Sequence, residues 1–159
     1  MEQKSLANWL RAIIVGTGLC GILVYAAVVP TMAEYVMEGY PEFAGAILPW
    51  KLLIWCSAVP CYMVLFFAWD IASGIGADRS FTERNAKNLK WISGLAAGDA
   101  LFFFLGNIIF LFLDMNHPGI LFAALVVVFI GIAVAVAAAA LSHLVKKAAA
   151  LQEQSDLTI

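Results

Sequence analysis

"GADRSFTERNAKNLK", residues 76–90, is the one place in the middle of this chain where charges crowd together. It holds Asp78, Arg79, Glu83, Arg84, Lys87 and Lys90, with long apolar sequence on either side. Composition explains the contrast. Of 159 residues, 64% are hydrophobic and 13% charged, and the mean hydropathy is +0.93. Soluble domains are about 45–50% apolar and about 25% charged. So little charge cannot solvate a globule of this size, and a lipid bilayer is the solvent that fits. The length suggests one domain. A net charge of -2 gives no basis for direct nucleic-acid binding.

Four apolar stretches, Ala12–Pro30, Leu52–Trp69, Trp91–Leu113 and Ile120–Leu141, are each long enough to cross a bilayer, which takes about 20 residues. With their flanks the spans are set at about 12–35, 47–72, 89–113 and 119–145, followed by a tail over 146–159. In lipid every backbone polar group must be bonded within the protein, so each span is a helix or a barrel strand. Continuous apolar character, without alternation, selects helices. The first stretch is too long for the core of a cleaved signal peptide and has no small-residue cleavage site after it.

The island now has a place. Lys and Arg accumulate in short cytoplasmic loops. Eight of the nine basic residues lie in three segments: Lys4 and Arg11 near the N-terminus, Arg79, Arg84, Lys87 and Lys90 in the island, and Lys146 and Lys147 in the tail. Lys51 is the exception. The expected class is an all-α integral membrane protein with four transmembrane helices and both termini cytoplasmic, the island being its one cytoplasmic loop. Within the island, Ser80-Phe81-Thr82-Glu83 fits a capping box, S/T-x-x-E/Q, which predicts a helix starting near Phe81. Ser73 to Ala77, with its two glycines, predicts the turn before it. Pro30 is expected to end the first helix and Pro60 to kink the second.

Chemistry-bearing residues are sparse. Asp99, inside the third span, costs about 2.5–3.5 kcal/mol there on insertion scales. It should therefore face other helices, either handling a proton, cation or ligand or bonding helices together. Asn107 lies eight residues on and would widen a polar stripe or pack. Gly94 and Gly98 form a G-x-x-x-G, expected to let helices approach within the chain or to pair two copies as a homo-oligomer. On the outer face, Glu34, Glu42, Trp50 and Lys51 form a candidate site. Lys51 within reach of either carboxylate would make an ion pair, and Trp50 suits the interfacial belt. His117 and His143 fall on opposite sides of the membrane and cannot share a metal. Cys20, Cys56 and Cys61 contain no C-x-x-C and read as packing residues. No metal or cofactor is expected, and no phosphate loop or hydrolase motif is present. The tail over 148–154 is made of helix formers, so the fourth helix should run about two turns past the membrane and break at Ser155-Asp156.

An ordered set of pieces adds a resemblance. "VVPTMAE" (28–34), "YPEFA" (40–44), "LPW" (48–50), "AVPCY" (58–62), "SFTERNAKNLKWI" (80–92) and "KKAAALQEQSDLTI" (146–159) together resemble the bacterial membrane-protein family catalogued as domain of unknown function 2975. The resemblance implies a four-span, multi-pass protein of the bacterial inner membrane without an assigned activity. It also implies a small helix-turn-helix transcription regulator as a neighbour and candidate partner. The cytoplasmic surface that would meet such a partner is Phe81, Arg84, Asn85 and Lys87 of the island with Asp156, Leu157 and Ile159 of the tail. The leading functional expectation is thus a non-enzymatic regulatory or scaffolding membrane protein. The alternative is a small-solute or ion-handling protein built on Asp99.

Overall fold

Helices in lipid gain little from burying large apolar side chains against each other, because lipid is as apolar as leucine. The computed structural model, which describes residues 3–156, follows that logic. Eight of the eleven buried apolar residues described are alanines, among them Ala7, Ala72, Ala86, Ala100 and Ala135. Large side chains such as Phe112, Phe122 and Phe129 point outward. Small residues line the seams, and lipid is left to solvate the rest.

The described residues form helices joined by short turns, with no strand among them. α1 (Gln3–Leu23), a π-helical turn (Val24–Val28) and α2 (Val29–Gly39) make one continuous rod. A 3-10 turn (Pro41–Phe43) leads into α3 (Ala44–Gly76). α4 covers Glu83–Phe112 and α5 covers Pro118–Asp156. Four helices are long and apolar enough to span a membrane. α4, at 30 residues, is about 45 Å long at 1.5 Å per residue. The hydrocarbon core is about 30 Å thick, so the rods project beyond it.

Neighbouring rods run antiparallel in chain order. The first rod packs on α3, α3 on α4, and α4 on α5. Among the described residues, the first rod has no Cα within 8 Å of α4 or α5, nor has α3 of α5. Paired residues fix each register. A Cβ at Gly76 would lie 3.2 Å from that of Ala7, and one at Gly131 would lie 3.1 Å from that of Ala100. Gly106 gives way to Leu53 in the same manner. Ser142 Oγ donates to Ala86 O at 2.6 Å, closing the α4–α5 seam near the island.

Four expectations are corrected. Pro30 does not end the first helix, which continues to Gly39. Its ring removes a donor, and the backbone accommodates this by widening into the π turn, where Val29 N donates to Val24 O. The glycines of Ser73 to Ala77 stay helical through Gly76, because they serve close approach and not the turn. The cap of α4 is Thr82, whose side chain accepts from Asn85 N at 3.2 Å, two residues later than the capping box predicted. Ser80 instead donates to Gln3 Oε1 at 3.4 Å. The fourth helix carries on through Ser155 to Asp156 without the expected break.

Candidate functional site

At the end of the array opposite the island, Trp50 acts as a staple. Its Nε1 donates to Met115 O at 2.8 Å, and its ring meets Phe110 edge-on at 5.2 Å. Asn107 is fully buried, with 0% exposure. Its Nδ2 donates to Phe103 O at 2.9 Å, while Asn116 Nδ2 donates to Asn107 Oδ1 at 3.1 Å. Asn107 therefore anchors the loop after α4 and shares no hydrogen bond with Asp99 among those described. His117 accepts from Gly119 N at 3.0 Å across the first turn of α5. The expected Lys51 ion pair is absent among the described residues, and Glu34 and Glu42 stand exposed. Trp50 is thus built into the fold, and the outer-face constellation is not assembled. Both carboxylates are exposed to solvent, where an ion pair with Lys51 would gain little.

Asp99 sits half-buried between helices. Ser57 Oγ donates to its Oδ2 at 2.8 Å, and Cys61 Sγ lies 3.7 Å from the same oxygen. Oδ1 is enclosed without a partner. One polar cluster therefore joins two rods, Ser57 and Cys61 on α3 meeting Asp99 on α4. The Tyr25 ring, at the π turn, lies 6.3 Å from that of Tyr62 on α3. Beside it, Tyr62 Oη donates to Gly18 O at 2.8 Å in a notch where Gly21 leaves room for the phenol. Ser57 and Cys61 are partners of Asp99 that the sequence does not single out. A Ser and a Cys four residues apart on one helix face were the available signal, readable only once the α3–α4 register was known. The grooves described in this structure are not lined by Asp99.

Gly94 and Gly98 answer the packing question differently from expectation. A Cβ on either would meet nothing within 4 Å. The G-x-x-x-G face makes no close approach within the chain, because α4 meets α3 and α5 through other faces.

The island is tied down by Asp70, at the end of α3. Arg84 donates to both its oxygens, Nε to Oδ2 at 2.8 Å and Nη2 to Oδ1 at 2.6 Å. Asn88 Nδ2 donates to Oδ2 at 2.6 Å. Lys87 pairs with Glu83 one turn back at 3.9 Å. Asn85 is 3% exposed, and its Nδ2 donates to Arg79 O and Ser80 O at 3.1 and 2.9 Å. Asn85 is therefore withdrawn from the candidate partner surface: it plugs the loop, bonding carbonyls that α3 and α4 leave free. Phe81, by contrast, is 55% exposed. It borders a groove of about 610 Å³ whose walls include Gln3, Arg79, Thr82, Gln152 and Glu153. The start of α1, the island and the projecting end of α5 thus meet around one polar cleft. Leu157 and Ile159 lie outside the described residues, as does the side chain of Asp156.

Comparison with known proteins gives a family and no activity. The chain is 27% identical over 152 residues to the uncharacterized membrane protein YoaS of Bacillus subtilis (strain 168), covering 94% of each. No solved structure matches it. The family model described as Protein of unknown function (DUF2975) matches residues 31–159. That is most of the chain and all three of the turns that join its spans, so the protein belongs to this family of membrane proteins of unknown function.

Proposed function

We propose that the protein is a non-enzymatic scaffold of the bacterial inner membrane that holds a soluble regulatory protein at its cytoplasmic end. The observation that carries this reading is the cleft bordered by Phe81, where three separate parts of the chain converge on one polar surface. The island end is taken as cytoplasmic on its share of the basic residues. A small helix-turn-helix regulator is the candidate partner, as the family resemblance implies. An exposed aromatic ringed by Arg79, Gln152 and Glu153 has the makeup of a binding hot spot, an apolar anchor within a polar rim.

Affinity capture from native membranes tests this. The full chain should bring down a protein with a helix-turn-helix fold, and Phe81→Ala should lose it while still inserting. Deleting residues 156–159 should leave insertion intact and abolish capture. Full-yield capture by both variants would overturn the proposal.

Ion or solute handling through Asp99 is the second reading. The convergence of Ser57 and Cys61 on Asp99 and its unpartnered Oδ1 favour it. It stands second because the described grooves do not reach the carboxyl. Flux of protons or alkali cations in reconstituted vesicles that disappears in Asp99→Asn would move it to first place.

A further inference from the structure

Among the described residues, Arg11 is a cation without an acid. Among the described residues the ion pairs join Arg84 to Asp70 and Lys87 to Glu83. The Arg11 guanidinium donates from Nη2 to Ser73 Oγ over a long 3.4 Å, and its Nε is enclosed without an acceptor. The group is nonetheless held in place. Its central carbon lies 5.6 Å from the centre of the Trp69 ring. Ser73 is itself locked, donating to Trp69 O at 2.9 Å. Gly76 provides the space: a Cβ there would stand 3.7 Å from Nη2. A guanidinium has five N–H donors, so among the described residues this one is positioned with most of its donors unused.

Its depth suggests what they meet. Tryptophan concentrates where hydrocarbon gives way to headgroups, and Trp69 closes the apolar core of α3 there. Lys4 lies seven residues before Arg11, two turns along the same face of α1, and so extends the positive charge outward. Unlike an ammonium, a guanidinium matches two oxygens of a phosphate at once.

We propose that Arg11, seated on Trp69 and Ser73, is a binding site for a phosphate group at the membrane surface, with an anionic phospholipid headgroup as its natural source. The competing explanation is that Arg11 only offsets the negative C-terminal end of α3, which finishes at Gly76. The two differ in what the site retains.

The full chain is purified in detergent containing phosphatidylglycerol and phosphatidylcholine, and retained lipid is measured by native mass spectrometry. Wild type should keep phosphatidylglycerol in preference. Arg11→Gln should keep at least about fivefold less, and Lys147→Gln on α5 should match wild type. Ser73→Ala, which leaves every charge in place, should lower retention by loosening the seat. An excess of inorganic phosphate separates the two sources. Displacement of the lipid assigns the site to the free ion, resistance assigns it to the headgroup, and either keeps a phosphate site. Equal retention by wild type and Arg11→Gln, with only the melting temperature lowered, would overturn the proposal in favour of a helix-end role. Equal losses in Arg11→Gln and Lys147→Gln would overturn it in favour of unspecific attraction to basic residues.

Discussion

Two aspartates turn the chain out of its helices. Asp78 has φ 59° and Asp114 has φ 56°, both in the left-handed region. In each case the next residue reaches back across the turn, Arg79 N to Gly74 O at 2.9 Å and Met115 N to Phe110 O at 2.8 Å. Glycine usually fills this position at a helix end, and aspartate is among the few alternatives. The glycines that drew attention in the sequence sit earlier and do other work. Gly74 admits Asn85, whose amide atoms stand 3.1 Å from where a Cβ would be, and Gly76 admits Ala7. The turn was therefore misplaced by reading glycine as a turn former where it is a spacer. This assigns different tolerances to neighbouring positions. Asp78→Gly should leave stability unchanged or slightly raised, whereas Asp78→Val should lower it by about 1–2 kcal/mol, the cost of a left-handed branched residue. Thermal unfolding in detergent measures both, and equal melting of the two variants would contradict the argument.

The first rod shows how an element survives a proline inside a membrane. Pro30 has no N–H to donate to the preceding turn. Val29 N is committed to Val24 O, so the carbonyl of Tyr25 has neither of its usual helical donors. In lipid no water can substitute. Trp55, on α3, supplies the donor: its Nε1 reaches Tyr25 O at 3.2 Å. This partly exposed indole is a replacement for the missing proline N–H. This makes the two positions energetically coupled. Trp55→Phe should destabilise the protein by about 1–3 kcal/mol, the cost of a stranded buried acceptor. In a Pro30→Ala background, where residue 30 regains its N–H, the same change should cost clearly less. A double-mutant cycle reads the difference directly, and strict additivity would show that Trp55 and the proline are independent.

At the scale of the whole molecule, the reading that succeeded depended on quantities summed over many residues. Apolar length and the lack of alternation predict four helices, because a bilayer imposes one length and one way of bonding the backbone. Asp99 between helices follows from the cost of leaving it in lipid. What could not be read depends on register. That Asp99 meets Ser57, that Trp50 meets Met115 and that Asn85 points inward require knowing how far each rod slides against its neighbour. Small residues such as Gly106 and Gly131 set that, and in sequence they look like any other glycine. The orientation of the array across the membrane stands apart from both, since it is decided by the basic residues and not by packing. Eight of nine lie at the island end or just inside it, and each resists transfer across a membrane. The test needs a site that is exposed and leaves the charges intact. Asn85 is unsuitable because it is buried, whereas Ala77 is exposed at the end of α3. A membrane-impermeant thiol reagent added to intact cells should label Met37→Cys, at the opposite end, and should reach Ala77→Cys only after the cells are opened. The native Cys20, Cys56 and Cys61 lie within the spanning helices, where such a reagent has no access. Labelling of Ala77→Cys from outside would reverse the orientation, and with it the claim that the Phe81 cleft faces the cytoplasm.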